Sequence, residues 1–155
     1  MEPAYSVERA YPVSMEKLWH AWTNGAALEQ WYHGVDHRCV PGSVTGDAAV
    51  GAIWSVGIHV PQYNVTVFFY GTYETVTPQS QIVHSMHYTE SAEAFAVKDM
   101  TTPAHRVVID FAQTPEGSWV RFAQYGDLPA AQIPLAKAGM GSYFDSLGNY
   151  LSTGK

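Results

Sequence analysis

Hydrophobic positions along the chain switch period as they go, and each switch predicts an element. Tyr5 to Tyr11 is short and rich enough in aromatic and β-branched residues for a strand, which Pro12 ends. Ser14 then stands where an N-cap belongs, with Glu16 in the first turn and Met15, Leu18, Trp19 and Trp22 at i, i+3, i+4, i+7 of an amphipathic helix. Asn24 caps a second short helix carrying Leu28 and Trp31, and Gly34 is placed to stop it in a left-handed conformation. From Val35 to Tyr125 the period falls to two. Strands are predicted over Ile53 to Ile58, Tyr63 to Glu74, Gln81 to Tyr88, Arg106 to Thr114 and Ser118 to Tyr125. The last two form an antiparallel hairpin through the turn Thr114-Pro115-Glu116-Gly117. Beyond Gly126 and Pro129 the helical period returns, with Ala136, Met140, Tyr143, Phe144, Leu147, Tyr150 and Leu151 on one stripe.

This order predicts an α+β fold: a curved antiparallel sheet wraps the long C-terminal helix, and the two short helices close one end. No repeat, low-complexity tract or linker divides the chain, so one domain over 1–155 is expected. Two features stand outside the pattern. Gly139, Gly141 and Gly148 each cost the last helix about 1 kcal/mol relative to Ala, so either they serve packing or a close approach to something, or the helix is weak. Thr89 to Ala104 is longer than a hairpin needs, and with Phe95, Val97 and Met100 it reads as a disordered loop or as a lid over a cavity mouth.

Composition narrows the function. Charged residues are 14% of the chain, against about 25% in an average soluble protein, and aromatics also reach 14%. That surplus either fills a large core or lines a cavity. A net charge of −6 with scattered basic residues argues against nucleic acid. No apolar run is long enough to span a membrane, the start has no signal-peptide h-region, and the lone Cys39 cannot form an internal disulfide. A cytoplasmic location is the expectation.

The stretch "RAYPVSMEKLWHAWTNGAALEQWY", Arg9 to Tyr32, carries a resemblance, as do "VGAIWSV", "YGTYETVTPQSQIV" and "GMGSYFDSLGNYL" further on. In that order they resemble the signature of the activator-of-heat-shock-ATPase-like branch of the START-like (SRPBCC, birch-pollen-allergen) superfamily. The matching positions are Arg9, Pro12, Leu18-Trp19, Trp22-Thr23-Asn24 and Leu28 with Trp31-Tyr32. The resemblance implies a helix-grip fold and makes Trp19, Trp22 and Trp31 structural wedges between helices, sheet and C-terminal helix. Departures from it bear on function. Gly139-Met140 stands where relatives usually have Gly-Trp, which leaves room where an indole would fill space, and Tyr32-His33 stands where a second Trp and a small residue are common.

On the strands, Ile82, His84, Met86 and Tyr88 share one face and Val83, Ser85 and His87 the other. Asp110 and Arg121 can pair on the outer face of the hairpin. The inner face then carries His84 and Gln124, either as the convergent polar groups of a ligand site or as satisfied core residues. With the resemblance, the candidate ligand-binding set is Trp54, Phe69, Tyr73, His84, Met86, Phe111, Phe122, Gln124, Met140 and Phe144. His33, Asp36, His37 and Cys39 match no closed zinc pattern, and Cys39 lacks the surroundings that would activate it as a nucleophile, so neither a metal nor another cofactor is expected.

The expected function is binding of a small hydrophobic or aromatic molecule between sheet and C-terminal helix. The alternative implied by the superfamily is a cyclase or aromatase acting on a polyketide-like chain, with His84 and Tyr73 or Tyr88 moving a proton. A co-chaperone that stimulates a heat-shock ATPase is the disfavoured third. A homodimer is compatible with the family, although no surface in the sequence marks it.

Overall fold

The computed structural model describes residues 2–45 and 47–153, so Met1, Gly46, Gly154 and Lys155 of the 1–155 span lie outside the described residues. β1 (Tyr5–Tyr11) leads into α1 (Met15–Thr23) and α2 (Gly25–Trp31). Both helices begin on side-chain caps: Ser14 Oγ accepts from Lys17 N at 3.2 Å, and Asn24 Oδ1 accepts from Ala27 N at 3.0 Å. α2 ends at Trp31, because Tyr32 leaves helical geometry (φ −76°, ψ 69°) as its ring turns into the core. Gly34 has no positive φ and is not the helix stop; a Cβ there would lie 2.9 Å from His37 Nδ1 and 3.3 Å from Ser142 Oγ, so it permits a close approach instead.

β2 (Arg38–Cys39), β3 (Ile53–Val60), β4 (Val65–Thr77), β5 (Gln81–Thr89), β6 (His105–Thr114) and β7 (Gly117–Tyr125) complete a seven-stranded sheet in the order β1-β7-β6-β5-β4-β3-β2, antiparallel throughout. The two-residue β2 escapes the period-two pattern because it is too short to show one. Asp110 and Arg121 face each other across β6 and β7, with Asp110 Oδ2 3.8 Å from Arg121 Nη1.

α4 (Ile133–Ser152) lies in the concave side of the sheet, so the fold is the expected helix-grip α+β architecture. Its two halves differ. Phe144, Leu147 and Leu151 in the C-terminal half are buried against Leu18, Trp22, Phe111 and Val120 in one apolar cluster, and the Tyr11 hydroxyl donates to Phe144 O at 2.7 Å. The N-terminal half carries exposed Leu135, Lys137 and Gly139, and of it only Met140 is fully buried. A Cβ at Gly139 or Gly141 would meet nothing within 4 Å, so no packing contact requires these glycines.

Most of the segment between β5 and β6 docks on the convex side, and of it only Pro103 borders the cavity between the sheet and α4. The segment forms α3 (Ala92–Val97), capped by Ser91, whose Phe95 stacks on Phe68 at 4.6 Å. His87, stacked on Tyr70 at 4.8 Å, meets Thr102 Oγ1 at 2.7 Å, and the Tyr70 hydroxyl donates to Asp99 O at 3.1 Å. Among the described residues, no helix is long and apolar enough to cross a membrane.

Candidate ligand cavity

A cavity of about 670 Å³ opens between the sheet and the N-terminal half of α4, within the range of small-molecule sites. Phe69, Met86 and Phe122 from the sheet and Met140 and Ala136 from α4 form its apolar walls. The Phe69 and Tyr88 rings pack with centroids 5.3 Å apart and planes tilted at 52°, and Tyr88 is exposed at the rim with Asp127, Pro129, Gln132 and Gly139.

Polar groups converge on one wall. Tyr5 and Gln124 are direct partners in the register of β1 and β7, and the Tyr5 hydroxyl donates to Gln124 Oε1 at 2.8 Å. Gln124 Nε2 lies 2.7 Å from His105 Nδ1, and His105 Nε2 lies 3.1 Å from Asp127 O. A carbonyl only accepts, so Nε2 carries the proton and Nδ1 accepts from the Gln124 amide. The chain therefore runs in one direction, from Tyr5 through Gln124 and His105 to the backbone of the β7–α4 connection. Gly126 makes it fit, because a Cβ there would overlap the His105 ring. Tyr32 and Tyr143 complete the wall, with ring centroids 5.2 Å apart and planes at 84°. Burial raises the pKa of the Tyr5, Tyr32 and Tyr143 hydroxyls, so all three stay protonated at neutral pH.

Of the sequence-derived ligand-binding set, Phe69, Met86, Phe122, Gln124 and Met140 line this cavity, and so does Tyr88. Trp54, Tyr73 and His84 do not. They border a separate space of about 20 Å³, enough for one water, with Tyr32 standing between the two volumes. There the Trp54 ring lies 4.3 Å from His84 and its Nε1 donates to Ser85 O at 2.7 Å, a contact that needs Gly71, where a Cβ would overlap the Ser85 carbonyl. His84 Nδ1 donates to the same carbonyl at 2.9 Å, and burial lowers the imidazole pKa to about 4 against the smaller opposing effects of that bond and of Glu74. His84 is therefore neutral at pH 7. Trp22 also borders this small space, and its Nε1 is the sealed side-chain polar atom without a protein partner among the described residues. Phe111 and Phe144 line neither space; they pack edge to face on Trp22 in the core.

Tyr5, Tyr32, His105 and Tyr143 line the cavity without having been singled out as site residues. His105 was within reach of the pattern: extending β6 by one residue puts it on the inward face with Val107, Ile109 and Phe111. Cys39 points its thiol at Tyr32 O, 3.5 Å away, and burial, with a smaller effect from Glu29, pushes it up to about 12. His33 faces the carbonyls of Gly34 and Gln30, at 2.7 and 3.2 Å. Among the described residues, no three His, Cys, Asp or Glu side chains converge as a metal site would need.

Solved structures share this architecture. An AHSA1 protein from Silicibacter pomeroyi superposes with a TM-score of 0.80 at 15% identity, covering 97% of this chain and 99% of that one. A protein from Chromobacterium violaceum gives 0.77 at 16% identity over 94% of each chain. DynU16, from the dynemicin biosynthetic locus, gives 0.73 at 18% identity over 97% of this chain and 47% of its own. No curated protein is a significant sequence match. The family model for activator of Hsp90 ATPase homolog 1-like protein matches residues 12–152, nearly the whole chain, and the protein belongs to that family.

Proposed function

We propose that the protein binds a small hydrophobic or aromatic molecule in the cavity between the sheet and the N-terminal half of α4. One observation carries this reading: the largely apolar volume of about 670 Å³ has a single polar wall, in which Tyr5, Gln124 and His105 are held in place by directed hydrogen bonds. Such a wall orients a ligand without reorganising, which favours affinity because little ordering remains to be done on binding. Binding is better supported than proton transfer by the residues first considered for it. Tyr73 and His84 lie behind Tyr32 on a space with room for one water, and the Tyr88 hydroxyl at the rim donates to Glu90 at 2.8 Å.

Native mass spectrometry of freshly purified protein, set against its denatured mass, tests the reading. A mass excess that denaturation removes, and that an apolar competitor displaces, is the expected result. A clean apo mass, together with no detectable binding of aromatic compounds at millimolar concentration, overturns it.

A further inference from the structure

The cavity wall holds two hydrogen-bond donors that the protein does not use. Tyrosine hydroxyls bond to the protein from Tyr5, Tyr11, Tyr70 and Tyr88; of the six that have no protein partner among the described residues, Tyr32 and Tyr143 are the two that line the cavity. Neither is a sealed orphan, since among the described residues Trp22 Nε1 alone has that status. Both hydroxyls therefore reach accessible space. Tyr143 lines the cavity, and Tyr32 lines both the cavity and the water-sized volume beside it.

The charge of the wall limits what can meet them. No Lys or Arg lines the cavity among the described residues. Its ionisable side chains other than tyrosine are His105, with both nitrogens committed, and Asp127, exposed at the rim. A carboxylate or phosphate drawn into this volume would lose its water with no cation to replace it. A neutral carbonyl oxygen has two lone pairs, needs no countercharge and accepts from both phenols.

Resting on the cavity-binding reading, we propose that Tyr32 and Tyr143 form a two-donor subsite for a carbonyl oxygen, and that the ligand is an uncharged ring ketone or quinone rather than a fatty acid or other anion. Flat rings match the aromatic walls of Phe69, Tyr88 and Phe122, and the oxygen is held at the Tyr32–Tyr143 corner. The phenols stay protonated because burial opposes ionisation and each would feel the charge of nearby acidic groups: Tyr32 that of Tyr143, and Tyr143 that of Cys39 and Tyr5.

Three probes of nearly one size and shape test this: 9-fluorenone, fluorene and fluorene-9-carboxylate, titrated by calorimetry into wild type, Tyr32→Phe, Tyr143→Phe and the double variant. The phenylalanine variants keep both rings, and circular dichroism checks their fold. Fluorenone should bind wild type about tenfold or more tighter than fluorene, as two modest hydrogen bonds allow, and the carboxylate weakest of all. Bound fluorenone should show a lowered carbonyl stretch in the infrared. The double variant should lose both the advantage and the shift while binding fluorene unchanged. Equal affinity for fluorenone and fluorene, an advantage that survives in the double variant, or tightest binding of the carboxylate overturns the subsite and leaves the cavity reading standing. If none of the three binds, the subsite falls, and native mass spectrometry decides the cavity reading.

Discussion

The indole N–H of Trp31 donates to the carbonyl of Ala21 at 2.7 Å, joining the end of α2 to the last turn of α1. That carbonyl is one of those a helix C-terminus leaves without an internal partner. The Trp31 ring is fully buried and meets Trp22 edge to face at 4.7 Å. Removing the indole nitrogen therefore strands a buried acceptor as well as shrinking a core side chain. Trp31→Phe should lower stability by about 2–4 kcal/mol in urea denaturation. Trp22→Phe should cost clearly less, because Trp22 Nε1 has no protein acceptor to abandon. Equal losses would refute the capping role.

His84 should make the fold acid-sensitive. Its folded pKa of about 4 lies below the ordinary value of 6.5, so below pH 6.5 the unfolded chain takes up a proton that the folded chain refuses. The contribution to stability is complete above pH 6.5 and declines as pH falls from 6.5 to 4, by on the order of 3 kcal/mol in total. Glu74, whose pKa is lowered by its bond to Arg106, adds loss of the same sign at lower pH, but the pair is exposed and contributes less. Comparing wild type with His84→Asn isolates the histidine. The variant should be less stable at pH 7 and should lose less between pH 7 and pH 5. A parallel pair of pH profiles would mean that His84 is hydrated in solution.

His84 also marks where the sequence stops being legible. Alternation on β5 assigned it and Met86 to the same inward face, and both do point inward. It could not tell that Met86 faces the open cavity under the glycine-rich half of α4 while His84 sits behind Tyr32 under the short helices. Period-two patterns encode a side of the sheet; position along the groove depends on where helices land. The same limit explains the segment after β5. Ala92–Val97 is too short for a helical period to emerge, and its docking on Phe68 and Tyr70 of the convex face depends on tertiary contacts. The β1 and α1 limits, by contrast, were readable because Pro12, Ser14 and Asn24 act locally.

Met140 is the place to close the cavity. It is 5% exposed and lies on the cavity wall from α4. Met140→Trp should occupy part of the volume, weaken binding of aromatic probes at least tenfold and leave unfolding cooperative, since an open space lies on the side the indole would enter. Calorimetric titration of fluorenone, with thermal denaturation as the control, checks both halves. Undiminished binding would place the ligand elsewhere.

Gly141 offers a stabilising change away from the wall. A Cβ there meets nothing within 4 Å, its φ is not positive, and the residue is inside α4. Gly141→Ala should gain up to about 1 kcal/mol, or roughly 2–4 °C in melting temperature. Probe affinity should stay the same. A lower melting temperature would show that the glycine has a role in packing.

The unequal halves of α4 give this scaffold a division of labour. Folding is anchored where Phe144, Leu147 and Leu151 meet the short helices and the closed end of the sheet. The other half spans a hollow and is held by few side chains, so substitutions at positions such as 136, 139 and 140 reshape the hollow without touching that anchor. On the binding reading, ligand preference can change through this half without disturbing the fold. Chains with identity in the teens keep this one backbone architecture.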